Sequence, residues 1–145
     1  MIEYVNQTGE VALHAISGYW KALECDDEGF PHTQIVRAYD KSNAYVAILS
    51  LFIFDEQLAF TKVSFVFTGT WHLKGKIITT EVNQFDFKDD TTKQYLTDNP
   101  EVMADATELF SGLLNTPQEH NIIHLTDNTL HTEHKGELTM LNKQA

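Results

Sequence analysis

From Thr61 to Trp71 the chain alternates without a break. Val63, Phe65, Phe67, Gly69 and Trp71 fall on one side, and Lys62, Ser64, Val66, Thr68 and Thr70 on the other. Successive side chains of an extended backbone point to opposite faces, so this run is a strand lying between an apolar core and a largely polar surface. A helix would scatter the same residues around its circumference. The neighbouring segments read the same way. Ala15–Leu23 is a strand candidate ended by Cys25-Asp26-Asp27-Glu28-Gly29, and His32–Tyr39 closes on the hairpin signal Asp40-Lys41-Ser42-Asn43. Ala44–Phe54 is apolar on both faces, as a strand buried on both sides would be. Ile77–Val82 follows the turn Lys74-Gly75-Lys76, and Phe85 and Phe87 continue its alternation. No proline interrupts His32 to Phe87, as an unbroken ladder requires. Short links between successive strands predict an antiparallel meander rather than βαβ units.

The period then changes. Asn99 reads as an N-cap, Pro100 as the first helical residue and Glu101 as an acidic first-turn residue. Val102, Met103, Ala106, Leu109, Phe110 and Leu113 form one apolar stripe on a helix ending near Asn115 and Pro117. Asp89–Thr97 has too thin a pattern to predict more than a short helical turn. Asn121–Thr126, Thr129–Lys135 and Glu137–Asn142 read as three more strands. The expected fold is mainly β with α+β character, a single domain over residues 1–145. Its antiparallel meander, of about eight or nine strands, closes into an up-and-down barrel because closure removes exposed edges. One amphipathic helix near residues 100–115 covers an end.

Charge narrows the function. Ten Lys+Arg against twenty-one Asp+Glu leave a net charge of −11, the wrong sign for a nucleic-acid backbone or an anionic membrane surface. The most apolar stretch, Ala44–Phe54, is roughly half the length of a membrane helix. Met1–Ala12 carries Glu3 and Glu10 and has neither a basic start nor an apolar run, so it does not read as a secretory signal. The expected location is cytoplasmic, or periplasmic or secreted if a signal peptide has been removed.

No catalytic constellation stands out. Four of the seven histidines fall late, His120, His124, His131 and His134, but strand alternation separates His131 from His134 and makes poor chelating geometry. Solvent-facing histidines and no metal are the reading. Cys25, the one cysteine, sits among carboxylates that disfavour a reactive thiolate. The glycines are scattered singly, so no phosphate loop exists, and Ser17 and Ser111 lie outside any G-x-S-x-G elbow. Asp86 with Glu81 cannot be told from outward-facing charges. The chain is therefore read as non-enzymatic and without a cofactor. The aromatic face is more informative: Tyr45, Val63, Phe65, Phe67, Gly69 and Trp71 are expected to line a cavity, with Gly69 leaving room between two large rings. The acidic field favours neutral or cationic hydrophobic ligands. The alternative is a solid barrel working through the outer apolar face of Val46, Ile48, Phe52 and Phe54, which needs cover from the helix or from a second copy in a homodimer.

Three stretches carry a family resemblance. Ile16-Ser17-Gly18-Tyr19-Trp20 looks like the opening glycine–any–tryptophan signature of the lipocalin-like (calycin) proteins. Gly69-Thr70-Trp71 with Leu73-Lys74-Gly75-Lys76-Ile77 is similar to a mid-chain hairpin of small bacterial members. Ile122-Ile123-His124-Leu125-Thr126-Asp127-Asn128-Thr129-Leu130 resembles their late hairpin. The resemblance implies an up-and-down barrel with an internal apolar cavity. It also implies a basic residue on the last strand lying across the first-strand tryptophan, here Lys143 over Trp20. Lipocalins usually place an arginine there and carry their helix after the barrel strands, whereas here three strands follow it.

Overall fold

The structure is a computed structural model that describes residues 13–57 and 59–144. The reading of Met1–Ala12 as lacking a secretory signal falls outside those residues. A short helix α1 (Leu13–Ile16) leads into β1 (Gly18–Cys25), β2 (Pro31–Tyr39), β3 (Ala44–Phe54), β4 (Phe60–Lys74) and β5 (Ile77–Phe87). Helices α2 (Asp90–Asp98) and α3 (Pro100–Ser111) follow, and β6 (Gln118–Leu125), β7 (Thr129–His134) and β8 (Glu137–Lys143) complete the chain. The eight strands form a closed antiparallel barrel in sequence order. Closure comes from β8 returning to β1 through Trp20↔Lys143 and Lys21↔Asn142.

Two expectations need correction at the helices. The strand candidate Ala15–Leu23 starts as α1 and becomes extended only at Gly18, whose φ of 130° an L side chain rarely adopts. In place of one helix there are two. The first, α2, is capped by Asp89, whose Oδ1 accepts from the Thr92 N–H at 2.9 Å and from its hydroxyl at 2.7 Å. Asn99 closes α2 rather than capping α3: its side chain donates to the Tyr95 carbonyl at 2.8 Å and makes no cap bond to α3. Helix α3 itself stops at Ser111, and Asn115 takes a positive φ of 59°.

Cross-strand partners share a face, so the register assigns the interior. Arg37↔Ala47, Ile35↔Leu49, Ala47↔Phe67, Leu49↔Phe65 and Leu51↔Val63 all point inward with the buried Phe65 and Phe67. Buried apolar residues form two clusters. At the α1 end, Ile16, Trp20, Tyr39, Tyr45, Trp71 and Ile78 pack with Leu130 and Leu141. At the other end α2 and α3 deliver Leu96 and Phe110 onto Val63, Phe65 and Phe67. The helix end is joined to the sheet by a side chain. Thr92 Oγ1 accepts the Ser64 N–H at 2.9 Å, continuing the ladder that β5 leaves after Lys88 N–H reaches the Ser64 carbonyl at 3.0 Å.

Candidate ligand-binding site inside the barrel

The expected wall residues do not form one surface. Tyr45 and Trp71 belong to the α1-end cluster, where the Trp71 indole N–H donates to the Asp40 carbonyl at 2.7 Å. Val63, Phe65 and Phe67 belong to the helix-end cluster, and Phe110 of α3 stands 4.9 Å from both phenylalanine rings, centroid to centroid. A helical side chain fills the space beside these two rings.

Gly69 requires a correction of its own. It stands at a bulge between Thr68 and Gly69, where β4 slips against β5. A Cβ placed there would meet the Glu81 carbonyl oxygen at 1.9 Å and the Val82 Cα at 2.8 Å. The volume its missing side chain leaves is therefore taken by backbone, and Gly69 permits close approach of two strands rather than opening a cavity.

Open space lies elsewhere. Ile35, Ala47, Leu49, Leu51 and Ile53 face inward along β2 and β3, pack against the two clusters and yet remain only half-buried. Inward residues of a barrel filled by its own side chains would be closed off from water. A shallow hollow of about 500 Å³ lies where α2 meets β4, lined by Thr61, Asp90, Thr91, Gln94, Tyr95 and Asp98. Thr61 pairs with Ile53 and so belongs to the same inner face.

A polar group sits deeper. Arg37, the only arginine in the chain, faces inward on β2 opposite Trp20 and Ala47 and is 8% exposed. Its Nη1 crosses the barrel to donate to Thr132 Oγ1 at 3.1 Å, and among the described residues no carboxylate pairs with it. Two polar atoms near it are buried without a hydrogen-bond partner, the Tyr39 hydroxyl and His120 Nδ1. Tyr39 lies in the field of Arg37 but outside hydrogen-bonding geometry. Burial pushes the Tyr39 and Tyr45 phenols upward, so both stay neutral. His120, on β6 beside the buried Ile78, stacks on His134 at 4.9 Å.

Desolvation, with Arg37 and His134 as secondary repulsions, drives His120 down to about 3. Its proton is therefore bound more readily by the unfolded chain than by the native one. Native stability is fully present above the unfolded value of about 6.5 and falls as pH drops from there toward 3. Between pH 6.5 and 5, above the carboxylate range, the parent should lose up to about 1.4 kcal/mol per pH unit relative to His120→Gln. Urea denaturation of both proteins across that window checks the slope. Parallel profiles would place His120 in a solvated environment.

The residues the sequence reading passed over are Arg37 and Tyr39, while His120, expected to face solvent, is turned inward opposite Ile78 with its Nδ1 buried. A signal for the first two was present. Ile35, Arg37 and Tyr39 alternate with Gln34, Val36 and Ala38, which puts a charge on the apolar side of a strand. The late histidines pair in space as His120 with His134 and His124 with His131, ring centroids 4.9 and 5.0 Å apart. Among the described residues no group of three or more His, Cys, Asp or Glu side chains gathers as a metal site would. Cys25 is free and exposed.

An eight-stranded antiparallel barrel closed in sequence order, with Trp20 buried at one end and Lys143 lying 5.3 Å over its ring, is lipocalin-like in architecture. No family model and no curated protein matches the chain. The solved structures similar to the chain include two from Bacteroides species. One is a lipocalin-like protein from Bacteroides uniformis, at 14% identity and a TM-score of 0.48, covering 90% of this chain and 99% of that one. The other is an uncharacterized protein from Bacteroides eggerthii, at 16% identity and a TM-score of 0.47, covering 88% of this chain and 98% of that one. No helix among the described residues is long and apolar enough to cross a membrane.

Proposed function

We propose that the barrel is a non-enzymatic binding module that takes a small hydrophobic molecule into its interior. The observation that carries this reading is the half-buried, inward-facing row Ile35, Ala47, Leu49, Leu51 and Ile53, lying between two packed clusters. Apolar side chains that face inward yet meet water gain free energy when an apolar guest replaces that water, at about 25 cal/mol per Å². The hollow beside Thr61 and Tyr95 is the entry that this reading assigns, because Thr61 shares the inner face with Ile53. The long-range acidic field favours neutral or cationic molecules at encounter, and charges inside the barrel act on what has entered.

Dodecanol tests the proposal, followed by native mass spectrometry and tryptophan fluorescence. The expected dissociation constant lies below about 100 μM, or roughly −5.5 kcal/mol. Leu51→Trp, which fills the row with an indole, should weaken binding at least about tenfold, a 1.4 kcal/mol effect, while the barrel's circular dichroism stays unchanged. Absence of binding below about 100 μM sinks the reading. A second reading rests on the outer surface: Phe30, Phe52, Phe54 and Phe60 gather at the β3–β4 hairpin with ring centroids 5.5 to 5.9 Å apart. Phe60 is 56% exposed there, which suits contact with another protein.

A further inference from the structure

Strand β6 is bulged, and the bulge decides where one of its histidines points. Ile122 pairs with the buried Thr132 and faces inward. Plain alternation from there would set Ile123 opposite His131 and turn His124 into the barrel. The extra residue instead brings His124 opposite His131 on the outer face, and Leu125 opposite the buried Leu130. Bulges concentrate beside functional sites, where they re-aim a side chain at the expense of a ladder position. The two rings are half-buried and stand 5.0 Å apart, centroid to centroid. Among the described residues no hydrogen bond engages their nitrogens. Two imidazoles are thus held side by side on paired strands, with their lone pairs uncommitted.

We propose that His124 and His131 are a two-imidazole chelate for a divalent first-row metal ion, copper(II) above the others, on the outside of the barrel and independent of any guest within it. An imidazole nitrogen bonds such an ion at about 2.0 Å, which sets the ion roughly 3.2 Å from the ring centre. Two arms in line, the arrangement suited to monovalent copper, would hold the centres about 6.4 Å apart. At the observed 5.0 Å the arms meet at roughly 100°. That is close to the right angle between neighbouring positions of a tetragonal copper(II) site, with the remaining positions left to water. Imidazole suits copper, zinc and nickel, and among these ions affinity reaches its maximum at copper(II). The barrel fixes the separation of the rings beforehand, so little freedom is lost when an ion joins them.

The rest of the molecule favours this pair and disqualifies the other. A net charge of −11 draws cations toward the surface. On the outer face, water can supply the ion's other ligands. His120 and His134 are spaced almost identically, at 4.9 Å, but His120 is turned into the barrel. There Arg37 repels positive charge, and burial removes the water that an ion with two protein ligands would need.

The experiment titrates the untagged full chain with copper(II) and with zinc(II) at about pH 7.5, above the ordinary imidazole range. Calorimetry and electron paramagnetic resonance are read on the parent, His124→Gln, His131→Gln and His120→Gln. The parent is expected to bind copper(II) with the hyperfine pattern of two imidazole nitrogens, and zinc(II) at least about tenfold more weakly. His124→Gln and His131→Gln should each weaken copper(II) at least about tenfold and reduce the pattern to a single nitrogen. His120→Gln should change the affinity less than about threefold. Substoichiometric copper(II) should also broaden the ring resonances of His124 and His131 in the parent before those of any other histidine, a reading that needs no variant to fold. Broadening that begins at another histidine overturns the chelate, as does copper(II) binding that survives both substitutions. Absence of copper(II) binding below about 100 μM overturns it as well.

Discussion

Trp20→Ala is expected to destabilise the protein by about 3–5 kcal/mol, the range for removing a large aromatic from a packed core. Trp20 is 0% exposed and belongs to the cluster at the α1 end. Its indole N–H donates to the Ile16 carbonyl at 2.7 Å, so it also ties α1 to the barrel. Lys143 Nζ lies 5.3 Å from the ring on the strand that closes the barrel. Gly18 makes that cover possible, since a Cβ there would stand 3.0 Å from the Lys143 Cε. One side chain thus joins the first strand, the last strand and the entry helix. Most of the loss comes from the cavity and lost transfer energy, because an exposed cation–π contact is worth only about 0.5–1 kcal/mol. Trp20→Phe separates the contributions: it keeps a ring and loses the hydrogen bond, so about 1–3 kcal/mol should disappear. Urea denaturation reads both variants. A loss below about 1 kcal/mol for Trp20→Ala, the surface range, would place the side chain outside the core.

The barrel was legible in the sequence because strand alternation is a local property and turn residues punctuate it. Ala44–Phe54 coincides with β3, and the Thr61–Trp71 run is the middle of β4. Helix α2 was not legible, since only Thr92 and Leu96 among its residues are buried and two contacts make no stripe. Asn99 misled for a related reason. An asparagine between two helices serves either as the end of one or the start of the next, and only its Tyr95 contact decides. The candidate site was legible only in part. Inward parity on β4 was readable, but parity does not say which inward residues are covered by a helix and which meet water. Phe65 and Phe67 are filled over by Phe110, which is distant in sequence, while the accessible row belongs to β2 and β3. Arg37 was readable by parity as a charge on an apolar face, yet its lack of a carboxylate partner is a property of the closed barrel alone.

Gly69→Ala is expected to cost at least about 3 kcal/mol, at or beyond the upper end of overpacking effects. The reason is the identity of the obstacle. A flexible side chain swings away from an added methyl group, but the methyl here would stand 1.9 Å from the Glu81 carbonyl oxygen and 2.8 Å from its carbon. Relief requires β4 and β5 to separate at Thr70↔Glu81 and Gly69↔Val82, ladder positions that adjoin the bulge. Separation there sacrifices backbone hydrogen bonds next to Trp71, whose buried ring packs against Tyr39 at 5.1 Å. The damage therefore spreads from the bulge into the α1-end cluster. Gly69→Leu would be worse and is no plug for a cavity, since its side chain has backbone in front of it rather than space. The contrast with Gly75 makes the prediction specific: a Cβ added to Gly75, in the β4–β5 turn, would meet no atom within 4 Å, so only its φ of 61° resists substitution. Replacing it by alanine should cost about 1–2 kcal/mol, the usual strain of the left-handed region. Equal losses at the two glycines in urea denaturation would show that conformational strain, not the approach of β5, is what residue 69 relieves.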